Sequence, residues 1–371
     1  MIVGILKEPS FDNRVSLLAE SATVLIKKGI TVWTEHNAGE NAFCFNKEYE
    51  EAGAVIKSPA EILSNADIVL VINPLSAEKL GRSDQILIGV YQPLFNSKLV
   101  QQYASQKCSI FSLDMLPRTT RAQNMDVLSS QANIAGYKAV LLASNLYPRY
   151  YPMLMTAAGS IKPAKVLILG AGVAGLQAIA TAKRLGAVVE VFDTRPAVKE
   201  EVMSLGAKFI EVEGAADASK AGGYAVEQSE EYKKRQQEKI ADSISKADVV
   251  ITTAQIPGKK APILITEEML AVMRKGSVVI DIAAATGGNT PVTKNNEIID
   301  FNGIIIAGNS NLPSSMPNDA SRMYGKNILN FLPLIINKEN KIDLNWNDEL
   351  VSGACIVHDG EIRNEKVKSL L

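Results

Sequence analysis

"KVLILGAGVAGLQAIATAKRLGAVVEVFD", residues 165–193, is the stretch on which the fold turns. It opens on a β-branched and leucine run, breaks at glycine, and continues with small and apolar residues at helical spacing. It then closes on a second β-branched run that ends in an acid. Strand, turn, helix and strand make the smallest unit of a parallel sheet. Inside the turn, Gly170, Gly172 and Gly175 stand in the spacing G-x-G-x-x-G, with Val173 and Ala174 between the last two. The first glycine suits a tight turn and the second lets backbone approach a pyrophosphate. The third allows close helix–sheet packing, and the first N–H groups of the helix lack intrahelical partners and can meet phosphate oxygens.

A lone glycine pattern is a weak signal, and a glycine-rich turn in a nucleotide-free domain is the plainer reading. Here the strand before, the helix after, the second strand and its terminal acid all agree. Asp193 lies 18 positions after Gly175 (193 − 175), close to the spacing of an acid that binds adenosine ribose hydroxyls. A carboxylate beside a 2′-phosphate would be repulsive, which points to NAD(H). Arg195, just past Thr194, is the opposing signal, because NADP sites use arginine. The acid sits at the strand end itself, so NAD(H) is expected, with Thr194 and Arg195 at the site.

Outward from this unit, apolar runs alternate with amphipathic stretches in both directions. "IVGIL", "TVWTE", "DIVLVIN", "ILIGVY" and "CSIFSL" precede it, and "AKFIEV", "DVVITT", "SVVIDIA" and "GIIIAG" follow it. Near-continuous apolar strands separated by helices indicate parallel sheets covered on both faces. The chain has 371 residues, too many for one ordinary core. The expected architecture is therefore two Rossmann-like, doubly wound α/β domains separated by a cleft and joined by long helices. Residues 1–125 with 318–371 would form the first domain and 146–311 the nucleotide-binding one. Helices at 126–145 and 312–336 would connect them.

Composition excludes several classes. Lys+Arg 39 against Asp+Glu 40 leaves a net charge of -1, with no basic excess for nucleic acid or an anionic membrane. Cys44, Cys108 and Cys355 show neither metal nor CxxC spacing, which suits a reducing cytosol. The N-terminus "MIVGILKEPSFDNR" lacks a signal-peptide pattern. The longest apolar run, "VLILGAGVAGLQAIATA", is broken by glycine and just under bilayer length, so no membrane span is expected.

Four stretches together carry a family resemblance: "GAGVAGLQAIATAKRLGAVVEVFDTRP", "RTTRAQNMDVLSSQANIAGYKAV", "KAGGYAVEQSEEYKKRQQEKIAD" and "VITTAQIPGKKAPILI". Over essentially the whole length, the chain resembles the NAD(H)-binding components of proton-translocating NAD(P) transhydrogenases, of the alanine dehydrogenase/transhydrogenase family. The resemblance implies direct hydride transfer to NADP⁺ on a partner subunit, a further membrane-spanning partner, a homodimer, and a peripheral place on the inner face of the cytoplasmic membrane. It implies neither flavin nor metal.

The related alanine dehydrogenases are the alternative, as enzymes acting on an amino acid. Such an enzyme moves protons as well as a hydride and needs a positioned acid or base. Where those dehydrogenases carry a catalytic lysine and histidine, this chain has Asn73 (or Ile72, by alignment) and Gln92. Their aspartate falls at Ala285 or Thr286. His36 and His358 lie outside any motif and read as surface or loop residues. Hydride transfer between two nicotinamides needs orientation and exclusion of water but no proton donor.

"PRTTRAQNMDVLSSQ", residues 117–131, fits that need. By the resemblance, Arg118, Gln123 and Asp126 form a triplet over the nicotinamide end. Arg118 and Asp126 pair with each other and the carboxamide, Gln123 reaches towards the partner's nucleotide, and Ser129 bonds the carboxamide. A plain N-terminal helix cap explains Asp126 but not the arginines around it. For "GGYAVEQSEEYKKRQQEK" two readings stand, a solvated charged helix or a lid. The lid would use Gly222 and Gly223 as hinge, Tyr224 over the adenine or ribose, and Gln236 to close. Gln255 follows a strand, where a Rossmann domain meets its cofactor. Arg14 matches the dehydrogenases' substrate arginine and is expected to be structural here.

Overall fold

The computed structural model describes residues 1–79, 81–214 and 229–371. The chain divides into two compact units, residues 1–131 with 313–371, and residues 132–312.

In the first unit, β1 (Ile2–Ile5), β2 (Thr31–Glu35), β3 (Val55–Lys57), β4 (Ile68–Leu70), β5 (Ile86–Gly89) and β6 (Ser109–Ser112) are all parallel, in the order β3-β2-β1-β4-β5-β6. β4, β5 and β6 are buried along their whole length, as both-face coverage requires. Strand order reverses between β1 and β4, where open α/β sheets place ligands beyond the carboxyl ends of their strands.

The second unit repeats the plan. β7 (Leu154–Thr156) and β8 (Gly159–Ile161) form a separate hairpin, beside which Met153 and Met155 are exposed. β9 (Lys165–Leu169), β10 (Val188–Phe192), β11 (Lys208–Phe209), β12 (Val249–Thr252), β13 (Val278–Asp281), β14 (Glu297–Phe301) and β15 (Ile304–Gly308) lie in the order β11-β10-β9-β12-β13-β15-β14. All pairings are parallel except β14 with β15. The period-2 alternation of side chains serves two cores: Val166 and Ile168 of β9 enter one, Leu167 and Leu169 the other. Each fully buried aliphatic side chain contributes roughly 1.5–3 kcal/mol.

The antiparallel β14 is absent from the expected alternation. Its signal is Asn302-Gly303, a two-residue connection with both residues at positive φ (55° and 87°). The helix Val127–Leu146 begins two residues later than Met125, where its apolar pattern starts. Its Ala135, Ala139, Val140 and Ala143 pack into the second unit's core. The chain then returns to the first sheet. Tyr324, Ile328 and Phe331 of the helix Pro317–Phe331 enter that core, and β16 (Cys355–His358) pairs antiparallel with β6, followed by β17 (Glu361–Ile362).

Cys44, Cys108 and Cys355 are free, buried thiols. Burial raises all three, Cys355 to about 12. No helix among the described residues is long and apolar enough to cross a membrane.

Candidate functional site

In the second unit the three glycines answer to three different constraints. Gly170, just past β9, has φ +107°, and a Cβ there would stand 2.4 Å from the Thr253 hydroxyl. A Cβ on Gly175 would lie 1.9 Å from the Gly170 carbonyl, so the helix Val173–Arg184 meets its own turn too closely for any side chain. Gly172 differs. It is the extended N-cap of that helix, no side chain caps the helix there, and an added Cβ would meet nothing within 4 Å. Protein packing does not demand glycine at 172. An approaching pyrophosphate does, and the turn fits a dinucleotide. The long helix Val127–Leu146 braces the same turn, since a Cβ on Gly136 would fall 2.1 Å from the Ala174 carbonyl.

Asp193 leaves the end of β10 and lies beside this turn. Its Oδ2 accepts the Ala171 N–H at 2.7 Å and Nη2 of Arg195 at 2.7 Å. Its Oδ1 accepts the Arg195 N–H at 2.8 Å and Nε at 2.9 Å. The Asp193 hydrogen bonds hold the Arg195 guanidinium above its ordinary value, against the opposing effect of burial. Val173 is exposed, and Thr194 is half-buried. Gln236 is half-buried on the helix Glu230–Lys246. On the same helix Tyr232 is pushed up by burial and by the charge of Asp193. Gly222, Gly223 and Tyr224 lie outside the described residues.

Gln255 is exposed after β12, and its Nε2 donates to the Ile282 carbonyl at 3.3 Å. The loop that carries it is tied from below by residues that no motif marks. Asn289 Nδ2 donates to the carbonyls of Ala254 (2.9 Å) and Pro262 (2.8 Å). The fully buried Asp281 accepts the Asn289 N–H at 2.6 Å and the Thr293 hydroxyl at 2.7 Å. An acid at the end of the apolar "SVVID" is the signal that could have found them.

In the first unit, the polar stretch becomes a 3-10 helix, Thr120–Met125, followed by an extended Asp126. Asp126 caps the helix Val127–Leu146: its two oxygens accept the Ser129 N–H at 2.9 Å and the Ser129 hydroxyl at 2.6 Å. Asp126 and Ser129 are thus brought together, while Arg118 and Gln123 are exposed on the same segment. The segment is anchored from behind. Asn327 and Asn330 donate to the Asn124 carbonyl at 2.8 and 2.9 Å, and Asn327 Oδ1 accepts from the Ser130 hydroxyl at 2.8 Å. Arg121 pairs with Asp348.

At the reversal point of the first sheet sits a buried polar cluster. Glu8 accepts N–H groups from Ile72 (2.6 Å) and Asn73 (2.9 Å) and the Asn73 amide (2.9 Å). Burial raises Glu8 to about 7 even so. Asn73 Nδ2 also reaches Asp12 at 2.8 Å. Burial pushes Asp12 up, but Arg14's hydrogen bonds and charge and the Asn73 bond outweigh it and hold Asp12 below its ordinary value. Arg14 Nη1 donates to Gln131 at 2.8 Å. Position 73 is therefore occupied in joining two carboxylates. Gln92 is exposed at φ 47°, and Ala285 and Thr286 lie on a 3-10 turn. His36 is exposed. His358 is a correction to the surface-or-loop expectation, because it lies on β16, with Nδ1 2.7 Å from the Ser109 hydroxyl and its ring against Trp346. Among the described residues no group of three or more His, Cys, Asp or Glu side chains could hold a metal ion.

Comparison with known proteins follows this geometry. The family description "Alanine dehydrogenase/PNT, N-terminal domain" matches residues 4–135, and "Alanine dehydrogenase/PNT, C-terminal domain" matches residues 139–365. The chain is 42% identical over 380 residues to an NAD(P) transhydrogenase subunit alpha chain of Rickettsia prowazekii, covering 100% of this chain and 98% of that one. Among solved structures, a transhydrogenase from Sinorhizobium meliloti superposes with a TM-score of 0.85 at 39% identity, covering 98% of this chain and 99% of the other. An L-alanine dehydrogenase superposes with a TM-score of 0.82 at 23% identity, covering 100% and 99%, which is a likeness of fold.

Proposed function

The chain belongs to the alanine dehydrogenase/PNT family, and from this premise we propose that it is the NAD(H)-binding component of a proton-translocating NAD(P) transhydrogenase. Its role is to bind NADH and present it to NADP⁺ on a partner subunit, in a reaction coupled to proton passage through a membrane-spanning subunit. The observation that carries this reading is likeness along the full length to a chain named as a transhydrogenase alpha subunit, at 42% identity. The engaged amide of Asn73 supports it, because the position matching a dehydrogenase's catalytic lysine is tied between Glu8 and Asp12.

In this reading the turn Gly170–Gly175 holds the pyrophosphate, with Val173 and Ala174 at the helix start, and Asp193 takes the adenosine ribose. Thr194, Arg195, Gln236 and Gln255 line the same nucleotide, with Gly223 and Tyr224 assigned by resemblance alone. When bound, NADH supplies the hydride from its reduced nicotinamide. Arg118, Gln123, Asp126 and Ser129 orient the nicotinamide end and keep water from it. No proton moves through them, so a site without a histidine base suffices. Neither flavin nor metal enters. The protein works as a homodimer on the cytoplasmic side of the membrane, held there through its partners.

The test mixes the purified chain with an NADP(H)-binding partner subunit, NADPH and an oxidised NAD analogue. Transhydrogenation in the mixture, and in neither protein alone, is the expected result. Its absence, or turnover of NADH with pyruvate and ammonia by this chain alone, would overturn the reading in favour of a binding module or an amino-acid dehydrogenase.

A further inference from the structure

Deepening the nucleotide reading of the second unit, on which it rests, we propose that Arg195 is a displaceable latch on the adenosine-ribose seat. Its guanidinium occupies the acceptor positions on Asp193 that the ribose hydroxyls need, and it must swing aside for the nucleotide to bind.

An ionised carboxylate offers about four acceptor positions. On Asp193 all four are used by the protein itself: the Arg195 N–H and Nε on Oδ1, the Ala171 N–H and Arg195 Nη2 on Oδ2. Two of these donors are backbone groups. The Ala171 N–H belongs to the glycine turn, and the Arg195 N–H closes a two-residue loop back to Asp193. Neither leaves without remodelling the backbone. The two side-chain donors, Nε and Nη2, are removable, and a ribose diol presents two O–H donors to replace them. The guanidinium fork and the diol thus match in number and sign of hydrogen-bonding groups and compete for one carboxylate. The Arg195 side chain is 18% exposed against 6% for Asp193, so the arginine has a route to solvent while the acid stays in place.

This inverts the first reading of the residue. An arginine two positions past the acid looks like a cation waiting for a 2′-phosphate. In this geometry it is spent on Asp193, and breaking a charge-assisted, two-pronged contact is subtracted from the affinity for NAD(H). Removing the fork should tighten binding, the opposite of what deletion of a ligand contact does.

The test is calorimetric titration of the purified chain at about 0.15 M salt, where long-range attraction between the arginine and a polyanionic ligand is largely screened. Two probes are used: NADH, and reduced nicotinamide mononucleotide, which lacks the adenosine half. For Arg195→Met the expected result is a dissociation constant for NADH lowered about tenfold, with the mononucleotide unchanged. Unchanged or weaker NADH binding beside unchanged mononucleotide binding overturns the latch. Should the methionine variant lose both ligands through misfolding, Arg195→Lys decides. Lysine presents a point charge in place of the fork, so NADH should tighten about threefold, and no tightening overturns the proposal. Failure of the unaltered chain to bind NADH at all would sink the nucleotide reading and the latch with it.

Discussion

The chain uses the same three-residue device twice, Asp12-Asn13-Arg14 in the first unit and Asp193-Thr194-Arg195 in the second. In both, the arginine's N–H and Nε bond one carboxylate oxygen and Nη2 bonds the other, at 3.1, 2.9 and 2.6 Å in the first and 2.8, 2.9 and 2.7 Å in the second. What differs is the company. In the first pair, Asn73 takes the remaining acceptor and Gln131 takes Nη1, and the side chains are 10% and 1% exposed. In the second, the remaining acceptor goes to the backbone of the glycine turn. One short motif yields a sealed lock in one setting and, on the inference above, a latch in the other. Local sequence sets the pair; the neighbours decide whether it can open.

The difference can be broken most forcefully at Arg14. Arg14→Met strands the Asp12 carboxylate in a buried cluster and should cost about 3–5 kcal/mol in a urea melt. Arg195→Met should cost about 1 kcal/mol or less, because two backbone N–H groups still serve Asp193. Equal losses would mean that both pairs are locks.

Glu8, joined to the first pair through Asn73, gives a smaller effect with a definite sign. Its value is about 7 in the folded chain against an ordinary 4.5, so between those pH values the folded state holds a proton that the unfolded state has released. Stability contributed by this group is full below pH 4.5 and falls as pH rises towards 7, by at most about 3 kcal/mol (2.5 × 1.36). Asp12 works in the opposite sense, losing its contribution as pH falls below its ordinary 3.8. Melts of Glu8→Gln between pH 5 and 8 should be flatter than those of the unaltered chain; an unchanged slope would show that Glu8 is ionised throughout.

The smallest effect concerns how the first unit's polar interior reaches the exposed loop. Asn327→Asp keeps the acceptor for Ser130 but loses the donor to the Asn124 carbonyl. Transhydrogenation with the partner should slow about tenfold while NADH affinity stays within about twofold. A parallel loss of both would make Asn327 a binding or folding residue alone.

Much of the fold is legible because its signals are local. The β9–turn–β10 unit needs only residues 165–193 to be read, and Gly170 and Gly175 are constrained by atoms of that turn and its near neighbours. The strand reversals between β1 and β4 and between β9 and β12 follow from long-range pairing, which alternation alone does not specify. β14 escapes the alternation because its residues are half-exposed and mixed, although Asn302-Gly303 marks it. At the candidate site, Asp126 shows the limit. Its sequence supports both a helix cap and a functional acid, and the capping bonds with Ser129 are compatible with either. The braces Asn289 and Asn327 reach across 35 and 203 positions to the carbonyls they hold, beyond any spacing rule.

The buried thiols carry a consequence for how this chain meets oxidants. Peroxide attacks thiolates, and Cys44, Cys108 and Cys355 are both out of reach and held in the protonated form. Oxidative damage would instead begin at thioethers, and Met153 and Met155, 63% and 73% exposed beside the small β7–β8 hairpin, are the first in its path. The chain's weak point under peroxide is thus a surface turn whose sulfoxides reductases can repair, while its sulfhydryls stay silent.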